Sequence, residues 1–167
     1  MEIWDIYDSN KQLTGRTMVR EQWNMQPGEY HLTVLALLRH PSGRYLITQR
    51  DLRKSWAPGH WEIPGGGVQT GESSLQAVLR EIREETGLSV TAEQGNIVWT
   101  YQRENPQEGD NYFVDVWEFV VDFQKEQIQL QEGETMSYHL ADADEIASLG
   151  EQGLFLHYQS IRPVFQK

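Results

Sequence analysis

Three consecutive glycines, Gly65, Gly66 and Gly67, open a segment that runs through Thr70-Gly71-Glu72 and ends at Gly87-Leu88. No other stretch constrains the fold as tightly. Gly71 and Thr70 precede a run without proline or internal glycine, and Gly87 follows it, where a left-handed residue commonly closes a helix. The pattern predicts a helix over residues 72–86. At about 100° per residue, Leu75, Val78, Leu79 and Ile82 fall on one continuous apolar stripe. That stripe must pack on a sheet. Glu81, Glu84 and Glu85 lie within about 50° of a common direction, roughly a third of a turn from the stripe. Three carboxylates therefore project from one edge of a helix whose other side is buried.

Like charges at these spacings repel by a few tenths of a kcal/mol even when solvated, roughly 0.2–0.5 per pair. Acidic runs on helices are usually solvated faces, and Glu-Ile-Arg-Glu-Glu alone would mean little. Beside an open glycine loop, however, a divalent cation would reverse the sign of the interaction. Magnesium or manganese prefers oxygen ligands and keeps some water or substrate phosphate in its shell. The glycines are expected to reach conformations closed to other residues and to bring a backbone carbonyl close to a ligand.

The whole spacing points further than any part of it. Gly66, Glu72, Arg80, Glu81, Ile82, Glu84, Glu85, Gly87 and Leu88 occupy every fixed position of the Nudix box. The chain thus resembles the Nudix hydrolases over residues 29–166. That resemblance implies an α/β fold, a Nudix-type α/β/α sandwich around a mixed β-sheet. It implies a hydrolase that cleaves a diphosphate linked to another moiety, usually a nucleoside diphosphate derivative, with Mg2+ or Mn2+. Carried onto these residues, Glu81 and Glu85 are the principal metal ligands, Glu84 shares the shell, and the Gly65 carbonyl is the backbone ligand. Glu81 also acts as base toward water in some members. Arg80 orients the carboxylates, and Glu72 supports the helix start or serves as an outer ligand. Gly66 and Gly87 are structural. A further acidic ligand is expected from Glu132 or Glu134, of which Glu134 is preferred. Arg50, Arg53 and Lys54 follow a strand and are candidates for substrate phosphates, although such loops face solvent at least as often.

The composition is consistent with this class. A formal net charge of −11 argues against nucleic-acid polymers as partners, because phosphate backbones need basic patches. An anionic small-molecule diphosphate would then depend on metal and a few local arginines. The chain has no cysteine, so it forms neither disulfides nor thiolate metal sites, and a cytoplasmic location is expected. The first residues show no secretory signal, and the longest apolar stretch, residues 32–38, is too short for a bilayer, so no membrane association is expected. A homodimer is left open.

The remaining sequence predicts one domain, with a hairpin extension over 1–28 and a core over 29–167. Ile3 to Tyr7 and Leu13 to Val19 flank a turn-rich connection, as do Tyr30 to Arg39 and Arg44 to Gln49. Residues 61–63, 97–103 and 112–123 are expected strands, and 127–130 an edge strand. Two helices, 142–149 and 152–165, are expected to close the chain, the second cut short by Pro163.

A second resemblance covers Glu2-Ile3-Trp4-Asp5-Ile6-Tyr7-Asp8, Thr14-Gly15-Arg16, Tyr30-His31-Leu32 and residues 49–61. These segments are similar to the subgroup that includes isopentenyl diphosphate isomerase. That isomerase relies on a cysteine, and this chain has none. A non-catalytic domain that senses a nucleotide sugar is the other alternative, and the complete acidic motif speaks against it. Trp99, Tyr101, Tyr112 and Trp117 are expected to be core or sheet surface, with one of them available to stack on a base. Trp4 and Trp23 form a hydrophobic cover or a subunit contact, Trp4 equally well simple core. His31 is expected to be a hydrogen-bonded strand histidine, or a metal ligand if the isomerase-like resemblance extends that far, and His60 to be structural or part of the pocket rim.

Overall fold

A computed structural model describes residues 1–165; Gln166 and Lys167, the last positions of the expected core, lie outside the described residues. The alternating apolar pattern of the N-terminus forms a two-stranded hairpin, β1 (Ile3–Tyr7) and β2 (Leu13–Val19), paired from Ile3 opposite Val19. A mixed seven-stranded sheet follows. Its strands are β3 (His31–Arg39), β4 (Tyr45–Arg50), β5 (Trp61–Glu62), β6 (Gly65–Gly67), β7 (Gly95–Arg103), β8 (Tyr112–Val120) and β9 (Thr135–Ala141). The order β5-β4-β3-β8-β7 is continuous, β6 pairs with β3, and β9 pairs with β4. Strands β3 and β8 run parallel, whereas β4 and β9 are antiparallel with Tyr45 opposite Ala141.

Strand β3 buries both faces, as its almost unbroken apolar sequence requires. Leu32, Val34, Ala36 and Leu38 meet Ala77, Val78 and Ile82 of helix α1 (Ser74–Thr86). Leu35 and Leu37 point the other way, toward Ile146 of α2 (Ala143–Glu151) and Ile161 of the short α3 (Tyr158–Ile161). The result is the expected α/β/α sandwich. Burying side chains such as Val78 and Ile82 contributes about 1.5–3 kcal/mol each, which fixes α1 on the sheet in one rotational setting. Among the described residues no helix is long and apolar enough to cross a membrane.

Several expected elements take another form. Helix α1 begins at Ser74, not at residue 72, because the Ser73 hydroxyl caps the Gln76 N–H while the Gln76 side chain receives the Ser73 N–H. Gly87 ends it at φ 77° with its N–H on the Arg83 carbonyl, as anticipated. The expected edge strand at 127–130 is replaced by a 3-10 turn over Lys125–Gln127, after which Gln129 donates to the Thr86 carbonyl at the foot of α1. Helix is absent from residues 152–157. Gly153 turns at φ 73°, and Leu154 and Leu156 then bracket Trp61 with two backbone hydrogen bonds of 2.8 Å. Helix is left only at Tyr158–Ile161 and in a 3-10 turn over Arg162–Phe165, which contains Pro163.

The glycines also behave differently from expectation. Gly65, Gly66 and Gly67 are extended and form β6, pairing with Leu35, Val34 and Thr33. Their need for glycine is spatial. A Cβ on Gly65 would lie 2.2 Å from the Val34 carbonyl oxygen, one on Gly66 2.3 Å from Glu81 Oε1, and one on Gly67 2.5 Å from Trp4 Nε1.

Candidate active site

Helix α1 and the glycine strand bring the acidic residues together. Arg80 is the hub of the arrangement. Its Nε and Nη2 donate to both oxygens of Glu72 at 2.7 and 2.9 Å, its Nη1 to Glu81 at 2.8 Å and Glu84 at 3.3 Å, and its Nη2 also to the Gly67 carbonyl at 3.1 Å. This clamp ties β6 to α1 and leaves the guanidinium permanently charged, its pKa raised first by the Glu72 hydrogen bond. Burial opposes charge on Glu72, but Arg80 and the Gln69 N–H outweigh it and hold that carboxyl below its ordinary value.

Glu81 and Glu85 are in the opposite condition. Glu81 is 9% exposed, and burial pushes its carboxyl up to about 7 despite the neighbouring Arg80. Burial also raises Glu85 well above the ordinary carboxylate value, and the charges of Glu62, Glu81 and Glu134 add to the effect. Its one compensating contact of note is the Gly65 N–H, which donates to Oε2 at 3.3 Å. In an antiparallel pair a residue's N–H and C=O leave the strand on the same edge, so the Gly65 carbonyl lies on the edge that Glu85 occupies.

Glu62 was not singled out from sequence. It sits on β5, its carboxyl is raised by burial, and its charge is felt by Glu85. The available signal was a lone carboxylate between Trp61 and Ile63 directly before the glycines. Arg50 Nη1 meets Glu62 at 3.3 Å, and its other nitrogens hold the Trp56 carbonyl. Lys54 is ion-paired with Glu134, and the charge of Glu134 reaches Glu62 and Glu85. Glu132 acts instead on Arg53, whose guanidinium grips Asp51 at 2.8 and 2.9 Å and is largely exposed. Arg50 and Lys54 thus border the acidic cluster, whereas Arg53 is engaged elsewhere.

Among the described residues no three acidic or imidazole groups already close into a metal cage. The donor set nevertheless fits a hard divalent cation. It consists of carboxylate oxygens held near one another against their own repulsion, beside a backbone edge from which side chains are absent.

The glycine strand allows a direct test of this geometry. Gly66→Ala places a methyl group into the Glu81 carboxylate. The substitution is expected to lower kcat about 100-fold, the usual consequence of displacing a reacting group by about 1 Å, while circular dichroism stays native. Unchanged kcat would show that the position of Glu81 does not matter to turnover.

The family model of the NUDIX domain matches residues 29–162. This chain belongs to the Nudix family. An uncharacterized Nudix hydrolase of Listeria monocytogenes is 31% identical over 166 residues, covering 99% of this chain and 94% of that protein. A CTP pyrophosphohydrolase of Escherichia coli is 40% identical over 73 residues, 44% of this chain and 52% of that protein. A crystal structure of a Deinococcus radiodurans protein superposes with a TM-score of 0.76 over 99% of this chain and all of that one, at 20% identity, a likeness of fold. A MutT protein from Methanosarcina mazei Go1 gives a TM-score of 0.67 at 27% identity over 82% of this chain and 93% of its own. Nudix hydrolases act on diphosphate bonds of phosphorus-containing compounds and generally use divalent metals, and this chain is an enzyme of that class.

The aromatic and histidine candidates divide by location. Trp117 donates to Ser74 Oγ at 2.9 Å and packs on the α1 face, and Trp99 donates to the Ser160 carbonyl on the far edge. Tyr101 and Tyr112 instead line a cavity together with Trp4, Trp23 and His31. His60 Nδ1 lies 3.2 Å from the Pro58 carbonyl.

Proposed function

We propose that this enzyme hydrolyses the diphosphate linkage of a nucleoside diphosphate joined to another moiety, using Mg2+ or Mn2+. The observation that carries the reading is the pair of buried Glu81 and half-buried Glu85, set against the glycine edge with too little positive charge to balance them. Glu81, Glu84, Glu85, the Gly65 carbonyl and Glu134 would hold the metal. When bound, such a cation neutralises phosphate oxygens and lowers the pKa of attacking water.

The chain's own residues do the remaining work. Glu81, with a carboxyl poised near neutrality, accepts a proton from the attacking water. Arg80 fixes the Glu81 and Glu84 side chains and ties them to β6 through Gly67. Arg50 and Lys54 are placed to exchange a carboxylate partner for a substrate phosphate oxygen, whereas Arg53 would first have to leave Asp51. The names of the relatives, a CTP pyrophosphohydrolase and nucleoside triphosphatases, support a nucleotide substrate. Residues 1–167 are read as one catalytic domain, with the hairpin of 1–28 as an extension of the core at 29–167.

The test is magnesium-dependent turnover of a diphosphate panel that includes nucleoside triphosphates, ADP-ribose, nucleotide sugars and isopentenyl diphosphate, with products followed by mass. Metal-dependent cleavage of a nucleoside diphosphate derivative is the expected outcome. Conversion of isopentenyl diphosphate to an isomer, or ligand binding without any cleavage, would overturn the reading in favour of an isomerase or a sensor.

A further inference from the structure

A cavity of about 210 Å³ lies between the N-terminal hairpin and the face of the sheet opposite α1. Its floor includes the backbone of Gly66 and Gly67. Behind Gly66 stands Glu81, so a strand without side chains is all that separates the cavity from the carboxylates. We propose that this cavity holds the base of the substrate, and that Trp23 and Trp56 stack on that base. The proposal rests on the nucleotide reading above and adds where the base sits and which residues select it.

The lining is aromatic and its charges are already satisfied. Arg20 pairs with Glu2 at 3.0 Å and lies over the Trp4 ring, and Asp110 meets His31 Nε2 at 3.0 Å. Burial, then Arg103 and Arg50, lower the pKa of His157, which favours its neutral form. A quaternary ammonium ion would suit an aromatic cage of net negative charge, but Arg20 stands in this one. A neutral planar ring is the ligand that matches it.

The five tryptophan and tyrosine residues of the lining have unequal roles. Trp4 is 3% exposed, with one partner stacked at 4.0 Å in His31 and another edge-on at 6.0 Å in Trp23, so it is a wall. Trp23 and Trp56 are 42% and 57% exposed and still line the cavity, leaving indole surface available. Arg50 connects the two halves of the site, with its guanidinium over the Trp56 ring at 5.0 Å and its Nη1 on Glu62. A base on Trp56 would therefore have its phosphates directed toward the groups that border Glu62 and Glu134.

Two further observations point to a ligand. His31, 5% exposed, leaves Nδ1 buried without a partner, and the Tyr101 hydroxyl is buried and unpaired as well. Such groups cost free energy unless a ligand or a rearrangement satisfies them. Backbone strain is also concentrated here. Among the described residues, the non-glycine positions with positive φ are Lys11, Glu21, Trp23, Ala57 and His157. Trp23 and His157 line the cavity, and Glu21 and Ala57 directly follow its lining residues Arg20 and Trp56. Strain of this kind persists where the surroundings over-determine it. At Trp23 they do, because a Cβ on Gly109 would lie 2.1 Å from the Trp23 carbonyl oxygen.

The experiment is calorimetric titration of adenosine, guanosine, cytidine and uridine 5′-monophosphates, and of ribose 5-phosphate, into wild type, Trp23→Ala and Trp56→Ala. No metal is added. Both side chains are substantially exposed, and circular dichroism verifies that the variants remain folded. Wild type is expected to bind at least one nucleotide more tightly than ribose 5-phosphate, and each variant to lose about 5- to 150-fold of that affinity, the range of a stacked base. Equal binding of nucleotide and ribose 5-phosphate, or variants that bind as wild type does, would overturn the proposal. Because no turnover is read, a chain that binds the base but hydrolyses nothing would refute the hydrolase reading and leave this one standing.

Discussion

Glu85→Gln is expected to reduce turnover about 100- to 1000-fold at saturating magnesium, a loss of roughly 3–4 kcal/mol of transition-state stabilisation. A neutral amide is a poor ligand for a hard cation, and Glu85 is the carboxylate most surrounded by others. The same substitution is expected to raise the melting temperature of the metal-free protein at neutral pH. Raised carboxyl pKa values mean that the folded state holds protons the unfolded chain has released. The stability associated with the Glu81 and Glu85 pair is therefore fully present below the ordinary value of 4.5 and is lost as pH rises through about 7 for Glu81 and through the raised value of Glu85. The melting temperatures of wild type and Glu85→Gln should diverge between pH 5 and pH 8, roughly the window so defined. Added magnesium should close the gap by stabilising wild type alone. A gap independent of pH and of magnesium, or near-native turnover by the variant, would remove Glu85 from the metal site.

Lys11→Met is expected to destabilise the protein by about 1–2 kcal/mol, below the roughly 3–5 kcal/mol that breaking a fully buried ion pair costs, because the Lys11 side chain is 37% exposed and water screens the pair. Lys11 Nζ reaches Asp115 Oδ1 at 2.6 Å, and the Asp115 side chain is only 3% exposed. The remaining partner of that carboxylate is the Ser74 hydroxyl at 2.7 Å, in the first turn of α1. Removing the lysine leaves a charge beneath the hairpin with one neutral donor, whereas Lys11→Met combined with Asp115→Asn removes the charge itself. The double variant should recover most of the loss in urea denaturation. If it were as unstable as the single variant, the cost would lie in the left-handed turn at Lys11 and not in the ion pair. The pair matters to the site because the hairpin it anchors carries Trp4 and leads into Trp23.

Much of the helix and its chemistry was legible from sequence, because a helix is a local object. The stripe of Val78 and Ile82, the Gly87 terminus and the acidic edge follow from spacing alone, and the structure changes only the start, where Ser73 caps more effectively than residues further upstream. The first two hairpins were legible for the same reason: their turn residues and the β-rich segments that flank them lie within a short span of chain. Strand β9 was not. Thr135–Ala141 is half exposed and weakly patterned, and only pairing with β4 makes it a strand. Residues 152–157 failed in the opposite sense. Their apolar content suited a helix, but Trp61 uses the backbone of Leu154 and Leu156 as a partner.

The sequence by itself determined that α1 presents Glu81, Glu84 and Glu85 beside a glycine edge, since helical periodicity places those side chains whatever surrounds the helix. Tertiary structure decided what those carboxylates meet. Glu62 and Glu134 arrive on β5 and just before β9, both of which pair with β4, and Trp4, Trp23, Trp56 and Tyr101 close one cavity from four separate parts of the chain. Strand order and loop geometry set such encounters, and no spacing along the chain records them. The burial they produce is what turns the acidic edge from a solvated helix face into a cluster whose charged forms are disfavoured.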